Sequence, residues 1–338
     1  MEVSLPSDFL ASARKKAVKI FSESMEVAGF RKGHVPENIV IEKAGEGRIL
    51  EEAADILLKE HFPRIIEQEK LDVIGHPKIS ITKLAAGNPI EFKATVSVMP
   101  IFELPDYKKT AKDILEKEKG KEEKIDATEK EVGDVLLQIR KNKAHIDYHR
   151  AHPDEKGHEH KEMKEEDLPP LDDELAKAAG SFKNLDDLKA KVKENIVTEK
   201  KARNTERIRA MIMEALIKNV KLDLPEVLVE SEIQKSMAQM KDDVERMGMK
   251  WEDYLTHTKK KEEDLRNDLR DSSENKAKIQ LIFNKIAVNE NISPDKDILE
   301  NEVRELKKHY PEASDNNLRI YVATVLINQE VLKVLEQQ

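Results

Sequence analysis

The stretch Gly29–Pro36, which reads GFRKGHVP, places an aromatic residue and two cations between two glycines and ends on a proline. Each glycine can adopt backbone angles that a side chain would forbid, so the chain is expected to turn tightly at both ends of the loop. The proline suits the first position of a helix, predicted over residues 36–43, because its missing N–H needs no partner there. The side chains displayed at the tip are then an apolar group and two donors for phosphate or carboxylate oxygens, Phe30, Arg31 and Lys32.

This loop resembles the ribosome-docking signature of the trigger factor family, bacterial chaperones that act at the nascent-chain exit. The family signature is Gly-Phe-Arg-x-Gly-x-x-Pro, and its fixed positions are filled here by Gly29, Phe30, Arg31, Gly33 and Pro36. The resemblance implies that these residues and Lys32 bind the large ribosomal subunit near the exit tunnel, at ribosomal protein and ribosomal RNA. Without the family, the same stretch is typical of an ordinary surface turn between helices.

Basic residues accumulate on the predicted helix before the loop. Ser7 is predicted to cap this helix, which is expected to run to about Val27 with one apolar face. The other face carries four cations, Arg14, Lys15, Lys16 and Lys19. A charged helix face is usually only a solvated face, but beside a docking loop it indicates attraction to the phosphates of RNA.

The surrounding sequence predicts a small α+β domain over residues 1–104. Glu2–Leu5 is expected to form a strand, and residues 78–82 and 91–98 alternate in polarity like the strands of a hairpin. Before the hairpin, apolar residues at helical spacing predict helix that is broken or kinked at Pro63. The resemblance places the ribosome-binding domain of the family here, although the family usually begins with one further strand.

The composition of the whole chain favours several small cores and much exposed helical surface. Of the 338 residues, 38% are hydrophobic, 4% are aromatic and 38% are charged, a poor composition for one large core. The net charge of −9 argues against nucleic-acid binding by bulk charge, and the lack of cysteine excludes disulfides and thiol nucleophiles. No secretory leader and no apolar run of about 18 residues is found, so we expect a cytoplasmic protein without membrane contact.

The middle of the chain is expected to lack a folded core. Residues 105–146 are predicted as a linker, weakly ordered over 111–126, followed by a first arm helix that Thr128 caps. Residues 147–167 are a short polar connection at the point where the trigger factor family usually carries a prolyl-isomerase domain of the FK506-binding type, and they are too few for that domain. Histidines are frequent here, which leaves Zn²⁺ or Ni²⁺ binding open, but their spacing selects no tetrahedral site and no metal is predicted. They are His145, His149, His152, His158 and His160.

Residues 168–338 are predicted to be helical throughout and to form the client-binding domain. Helices are expected to begin after Asn184 and after Pro225. The resemblance implies an elongated, predominantly α-helical chaperone domain with arm-like helices that hold client polypeptides. Plain core packing gives the same helical spacing as a client surface, so both interpretations stay open for the predicted client contacts. These contacts are Met237, Met240, Val322 and Leu326.

The predicted function is that of an ATP-independent chaperone that docks near the ribosomal exit tunnel and holds nascent or unfolded polypeptides. The sequence has no glycine-rich phosphate loop, HExxH motif or nucleophile elbow, so neither a cofactor nor catalysis is expected. Two alternatives stay open: a helical scaffold or adaptor without client-holding activity, and a residual peptidyl-prolyl isomerase. The sequence also leaves open the client preference and whether the chain forms a homodimer.

Overall fold

The structure, a computed structural model, describes residues 1–119, 125–151 and 168–338. Within these residues there are three strands and twelve helices. In chain order they are β1 (Glu2–Leu5), α1 (Ser7–Ser24), α2 (Glu37–Ala44), α3 (Glu46–Gln68), β2 (Val73–Lys83), β3 (Ile90–Val98), α4 (Tyr107–Lys119), α5 (Glu129–Ala151), α6 (Asp173–Ala179), α7 (Leu185–Asn219), α8 (Glu226–Arg246), α9 (Trp251–Thr258), α10 (Glu262–Asn289), α11 (Lys296–His309) and α12 (Asp315–Glu336).

The chain folds into two compact units, and each has cores of its own. The first unit consists of Met1–Phe102 and Lys221–Lys278, and the second of Glu103–Val220 and Ile279–Gln338. The predicted fold class, a small α+β region with a predominantly helical remainder, is confirmed. The functional domain boundaries given above stay predictions.

The three strands form one antiparallel sheet in the order β1-β3-β2. In the middle strand, Phe92 pairs with Val3 on one side and with Ile81 on the other. Both predicted hairpin strands are present. β2 begins well before its predicted start because its register is irregular between Ile74 and Lys78, which interrupts the alternation that marks a strand in the sequence.

Helices α1 to α3 build a core with the first residue of β3, Ile90, in which Leu10, Ile49, Leu57 and Ile90 are almost fully buried. Because this core is drawn entirely from the first hundred residues, the region around the Gly29–Pro36 loop has its own hydrophobic support.

Several predicted helix ends are wrong. Ser7 is the first residue of α1 rather than its cap, and the helix ends at Ser24, before the predicted end near Val27, because Met25 is already extended. Pro36 precedes α2 as its N-cap, since its extended ψ of 143° lies outside the helical range. α3 runs through Pro63 without a break.

The second part of the first unit rests on the sheet through α8. A Cβ placed on Gly75 of β2 would lie only 2.6 Å from Cγ2 of Val227, in the first turn of α8. Farther along, α8 packs its buried Ile233 and Met237 against Leu265 of α10. These contacts place α8 to the early part of α10 in the same unit as the sheet.

In the second unit, the predicted cap of α5 is confirmed. The Thr128 N–H donates to the Glu131 carboxylate at 2.8 Å, and the Glu131 N–H donates to the Thr128 hydroxyl at 3.3 Å, a reciprocal capping box. Lys200 of α7 pairs with the same carboxylate at 2.7 Å, and the hydrogen bonds from Lys200 and Thr128 lower the pKa of Glu131 to about 2. α7 begins as predicted, with the Asp187 N–H donating to the Asn184 side chain at 2.9 Å.

The weakly ordered crossing predicted over 111–126 is wrong for most of its length, because α4 occupies residues up to Lys119. The Glu118 side chain is only 3% exposed and pairs with Arg207 of α7, while Ala111 is fully buried. Packing against α7 therefore stabilises a helix in which eight of thirteen residues are charged, an effect that local composition does not reveal.

Candidate functional site

Two successive β-turns form the loop between α1 and α2. In the turn over residues 27–30, the N–H of the last residue donates to the carbonyl of the first at 3.1 Å, and the same bond closes residues 31–34 at 3.0 Å. The third position of each turn is a glycine with positive φ, 88° at Gly29 and 82° at Gly33. Such turns favour glycine because a side chain is strained on that backbone. The tight turns predicted at both glycines are therefore present.

The base of the loop is hydrogen-bonded to the last turn of α1. The Gly33 N–H donates to the Ser22 carbonyl at 2.8 Å, and the Val35 N–H donates to the Ser22 hydroxyl at 3.2 Å. Ser22 and Val35 are both buried. Sequence reasoning missed Ser22; the one available signal was a hydroxyl four positions after the buried Val18, on the core side of the helix.

The predicted contact side chains stand at the surface. Phe30 keeps 42% of its surface exposed, a large fraction for an aromatic residue. Lys32 pairs with Glu26 at 2.8 Å, and the hydrogen bond from its ammonium lowers the pKa of Glu26. The Arg31 side chain forms no ion pair or hydrogen bond with any residue that the structure describes. Of the two tip cations, Arg31 is thus the one without a partner to displace among the described residues.

The basic face of α1 is less open than its sequence suggests. The Arg14 guanidinium donates to both oxygens of Glu46 at 2.7 and 2.9 Å and to Glu37 at 2.7 Å. These hydrogen bonds, that to Glu46 first, raise the pKa of Arg14. Arg14 therefore ties α1 to the first turns of α2 and α3 instead of offering charge to a partner. Two further cations of this face are paired, Lys16 with Glu60 at 2.5 Å and Lys19 with Glu23 at 3.9 Å.

The four predicted client contacts lie in or beside small cores. Met237 is 4% exposed and Val322 is 7% exposed, so plain core packing accounts for both. Met240 and Leu326 are half-buried at the edges of those cores. Client contact at these positions stays a prediction. Of the four side chains, Met240 and Leu326 have the larger exposed fractions.

An open groove lies between α11 and α12, here called the α11–α12 groove. It encloses about 420 Å³, and its apolar lining includes Leu306, Leu326 and the exposed Tyr321 and Val325. Charged and polar side chains complete the lining, Glu302, Glu305, His309 and Gln329. Two of the predicted residues thus line this groove, the half-buried Leu326 and Val322, of which only 7% is exposed.

A second groove of about 390 Å³, the α5–α7 groove, is lined by α5, α6, α7 and the residues between the latter two. Its apolar lining includes Val135, Ile139, Phe182 and Ile146, and Ile146 is 54% exposed. Amide and lysine side chains surround them, Asn142, Lys143, Lys191 and Asn195. This groove was not predicted, because helical periodicity marks an apolar stripe without showing how much of it a neighbouring helix covers.

The histidine segment is only partly described. His145 and His149 face each other on α5, with Nε2 atoms 3.1 Å apart. Among residues 1–119, 125–151 and 168–338, no group of three or more potential metal ligands occurs. The other three histidines and most of the predicted polar connection, residues 152–167, lie outside the described residues.

Family profiles match both ends of the chain. The profile described as "Bacterial trigger factor protein (TF)" matches residues 1–139, and that described as "Bacterial trigger factor protein (TF) C-terminus" matches residues 184–335.

Relatives match the chain over nearly its whole length. The trigger factor of Clostridium botulinum (strain Loch Maree / Type A3) is 24% identical over 410 aligned positions, which cover 99% of this chain and 95% of the relative. That of Clostridium kluyveri is 24% identical over 411 positions, with the same coverage. Because these alignments are longer than the 338 residues of this chain, the relatives carry residues opposite gaps in it.

A solved structure described as "Promiscuous Substrate Recognition in Folding and Assembly Activities of the Trigger Factor Chaperone" shares the fold. Its TM-score is 0.54 at 18% identity, and the match covers 100% of this chain and 96% of that one.

Together, fold and comparisons define the class, a ribosome-associated chaperone that works without ATP. More narrowly, the chain belongs to the trigger factor family. None of its described helices combines the length and apolarity needed to cross a membrane.

Proposed function

We propose that the loop Gly29–Pro36 is the ribosome-docking site of this chaperone, and that it binds ribosomal protein and RNA near the exit tunnel. The observation that carries this proposal is the exposure of Phe30 and Arg31 between two glycine turns, the second of which is hydrogen-bonded to α1. Because the backbone beneath them is already fixed, binding orders little more than two side chains. The guanidinium suits phosphate or carboxylate oxygens, and the ring suits an apolar pocket.

The test is the variant Phe30→Ala/Arg31→Ala/Lys32→Ala. Since desolvated anchors of an interface contribute about 2 kcal/mol or more each, ribosome affinity is expected to fall at least about a hundredfold. Co-sedimentation with ribosomes measures the loss. The far-ultraviolet circular dichroism and melting temperature should not change, because all three side chains are exposed.

A matched control is Lys59→Ala/Arg64→Ala, which removes two exposed cations of α3 in the same unit. It should bind ribosomes nearly as well as the unmodified protein. Full binding by the triple variant would remove the docking function from this loop.

We also propose that the α5–α7 and α11–α12 grooves hold nascent or unfolded polypeptides. A client side chain that buries roughly 100 Å² of apolar surface gains only about 2.5 kcal/mol. One such contact therefore binds no more tightly than about 10 mM, so holding requires several at once and release needs no nucleotide. The charged and amide groups around both grooves keep an occupied chaperone soluble.

The variant Val135→Gln/Ile146→Gln tests the α5–α7 groove in the full-length chain. Both positions are exposed, so the substitutions leave no cavity, but they remove apolar area from the groove. About twice as much chaperone should then be needed to suppress light scattering by a diluted, denatured client, while ribosome binding is unchanged.

The matched control is Ile320→Gln on α12, which is also exposed but lines neither groove. It should hold clients normally. If the unmodified protein fails to suppress scattering even in large molar excess, the scaffold alternative replaces client holding.

The proposal further includes a cytoplasmic location and the absence of catalysis. The absence of catalysis is supported by the family profiles, which leave residues 140–183 unmatched, and by the gaps in the alignments with longer relatives. Homodimer formation stays open.

A further inference from the structure

We propose that Ser22 is a positioning residue that fixes the docking loop and so sets ribosome affinity without touching the ribosome. This inference rests on the docking function proposed above. Ser22 is only 5% exposed and lies on α1, which precedes the loop. It bonds to two residues on the far side of the tip, Gly33 and Val35.

The carbonyl of Ser22 links the loop to the end of the helix. α1 ends at Ser24, so the carbonyls of its last turn have no partner within the helix. The Gly33 N–H satisfies the Ser22 carbonyl at 2.8 Å. The second turn of the loop therefore also serves as the C-terminal cap of α1.

The hydroxyl of Ser22 supplies the second bond. It accepts from the Val35 N–H at 3.2 Å and lies 3.5 Å from the Val35 carbonyl oxygen. Val35 is itself buried, so without the hydroxyl its amide would have no water to replace the bond.

These two bonds lie on either side of the last residue in the turn over residues 31–34, so they fix that turn relative to α1. Arg31 opens the turn, and Phe30 precedes it directly. A second link lies at the end of the loop. The carboxylate of Glu37, directly after Pro36, accepts a hydrogen bond from Arg14 of α1 at 2.7 Å. α1 thus holds the loop at two points, and Ser22 is the one nearer the tip.

Loss of the hydroxyl should lower the fraction of molecules with a correctly placed loop, and apparent affinity falls by that fraction. For Ser22→Ala we expect ribosome affinity to weaken roughly five- to tenfold, the usual effect of one buried hydrogen bond. Amide hydrogen exchange at Val35 should accelerate by a similar factor. Ser22→Cys, which keeps the volume but accepts hydrogen bonds weakly, should behave like Ser22→Ala, and Ser22→Thr should restore both values.

Ser24→Ala is the matched control, because this hydroxyl is exposed and, among the described residues, donates a hydrogen bond only to the Phe21 carbonyl of its own helix, at 3.2 Å. It should change neither ribosome affinity nor exchange at Val35. Client holding should be unchanged in all variants, whereas a merely structural role of Ser22 would lower the melting temperature and leave the affinity of the folded protein intact.

The decisive comparison is with the variant Phe30→Ala/Arg31→Ala/Lys32→Ala. If that variant loses ribosome binding while Ser22→Ala and Ser22→Cys bind like the unmodified protein, the positioning role is overturned and docking stands. If the triple variant binds normally, docking through this loop fails, and the role inferred for Ser22 fails with it.

Discussion

In the free protein, the Lys32 ammonium forms an ion pair with the Glu26 carboxylate at 2.8 Å. Both side chains are more than half exposed, so the pair itself contributes little to stability. It matters for binding, because a phosphate that approaches Lys32 has to displace this carboxylate. Arg31 has no such ion pair among the described residues, so its charge is more available to a phosphate than that of Lys32.

Replacing Glu26 with Gln is therefore expected to strengthen ribosome binding about twofold at low salt, the scale of an exposed ion pair. The gain should vanish as salt screens the charges. The sign holds at neutral pH, because Lys32 lowers the pKa of Glu26 and the carboxylate loses its charge only in more acidic solution. Titrated co-sedimentation measures the effect.

The control for this change is Glu23→Gln, since Glu23 faces Lys19 at the longer distance of 3.9 Å. Its effect should be smaller. Weaker binding by the Glu26→Gln variant would mean that Glu26 itself contacts the ribosome.

Single residues were predictable where the information is local. Gly29 and Gly33 identify themselves, because their spacing and the need for positive φ are both visible in the sequence. Ser22 and Arg14 were not predictable as loop supports. Their partners lie 11 to 32 residues away, and only the folded chain shows that they meet.

Among the secondary-structure elements, β2 and α8 pack so closely at one point that a side chain on β2 would not fit there. Gly75 has a φ of 70°, and a side chain there would meet Val227. The same irregular stretch hid the beginning of β2 from sequence reasoning. α4 was missed for a different reason, since its buried Glu118 is stabilised by Arg207, a partner that sequence periodicity does not reveal.

Gly75→Ala is expected to destabilise the protein by about 2–4 kcal/mol, from backbone strain together with overpacking against Val227. Adding Val227→Ala should recover only the overpacking part, because the strain remains. Urea unfolding of both variants gives the two values.

Gly87→Ala provides the matched control, since Gly87 has a similar φ of 74° but no atom within 4 Å of an added Cβ. It should show strain alone. Equal losses at Gly75 and Gly87 would mean that α8 does not rest on β2.

At the scale of the whole molecule, the helical content and fold class were predictable from composition and periodicity, but the grouping of elements was not. Periodicity shows which face of α8 is apolar without showing that Lys221–Lys278 folds in the same unit as Met1–Phe102. The two grooves were beyond prediction for the same reason.

A further expectation concerns the whole chain. We expect no acceleration of cis/trans isomerisation in X-Pro peptides, because the polar connection predicted over residues 147–167 has too few residues for an aromatic-lined proline pocket with its own core. A protease-coupled peptide assay measures this, with an isomerase of the FK506-binding type as the positive control. Turnover above the uncatalysed rate would contradict the proposal and restore the enzyme alternative.

The first unit consists of two separate chain segments, and these are synthesised at different times. Synthesis proceeds from the amino end, so the loop, α1 to α3 and their core emerge first, whereas Val227, which covers Gly75, comes much later. At roughly 5–20 residues per second, the 125 residues from Phe102 to Val227 take roughly six to twenty-five seconds. During that interval the loop proposed to dock on the ribosome has already been synthesised with its supporting core, while Val227 does not yet cover Gly75. If the proposed docking site is correct, a nascent copy of this protein can bind a ribosome before its own fold is complete.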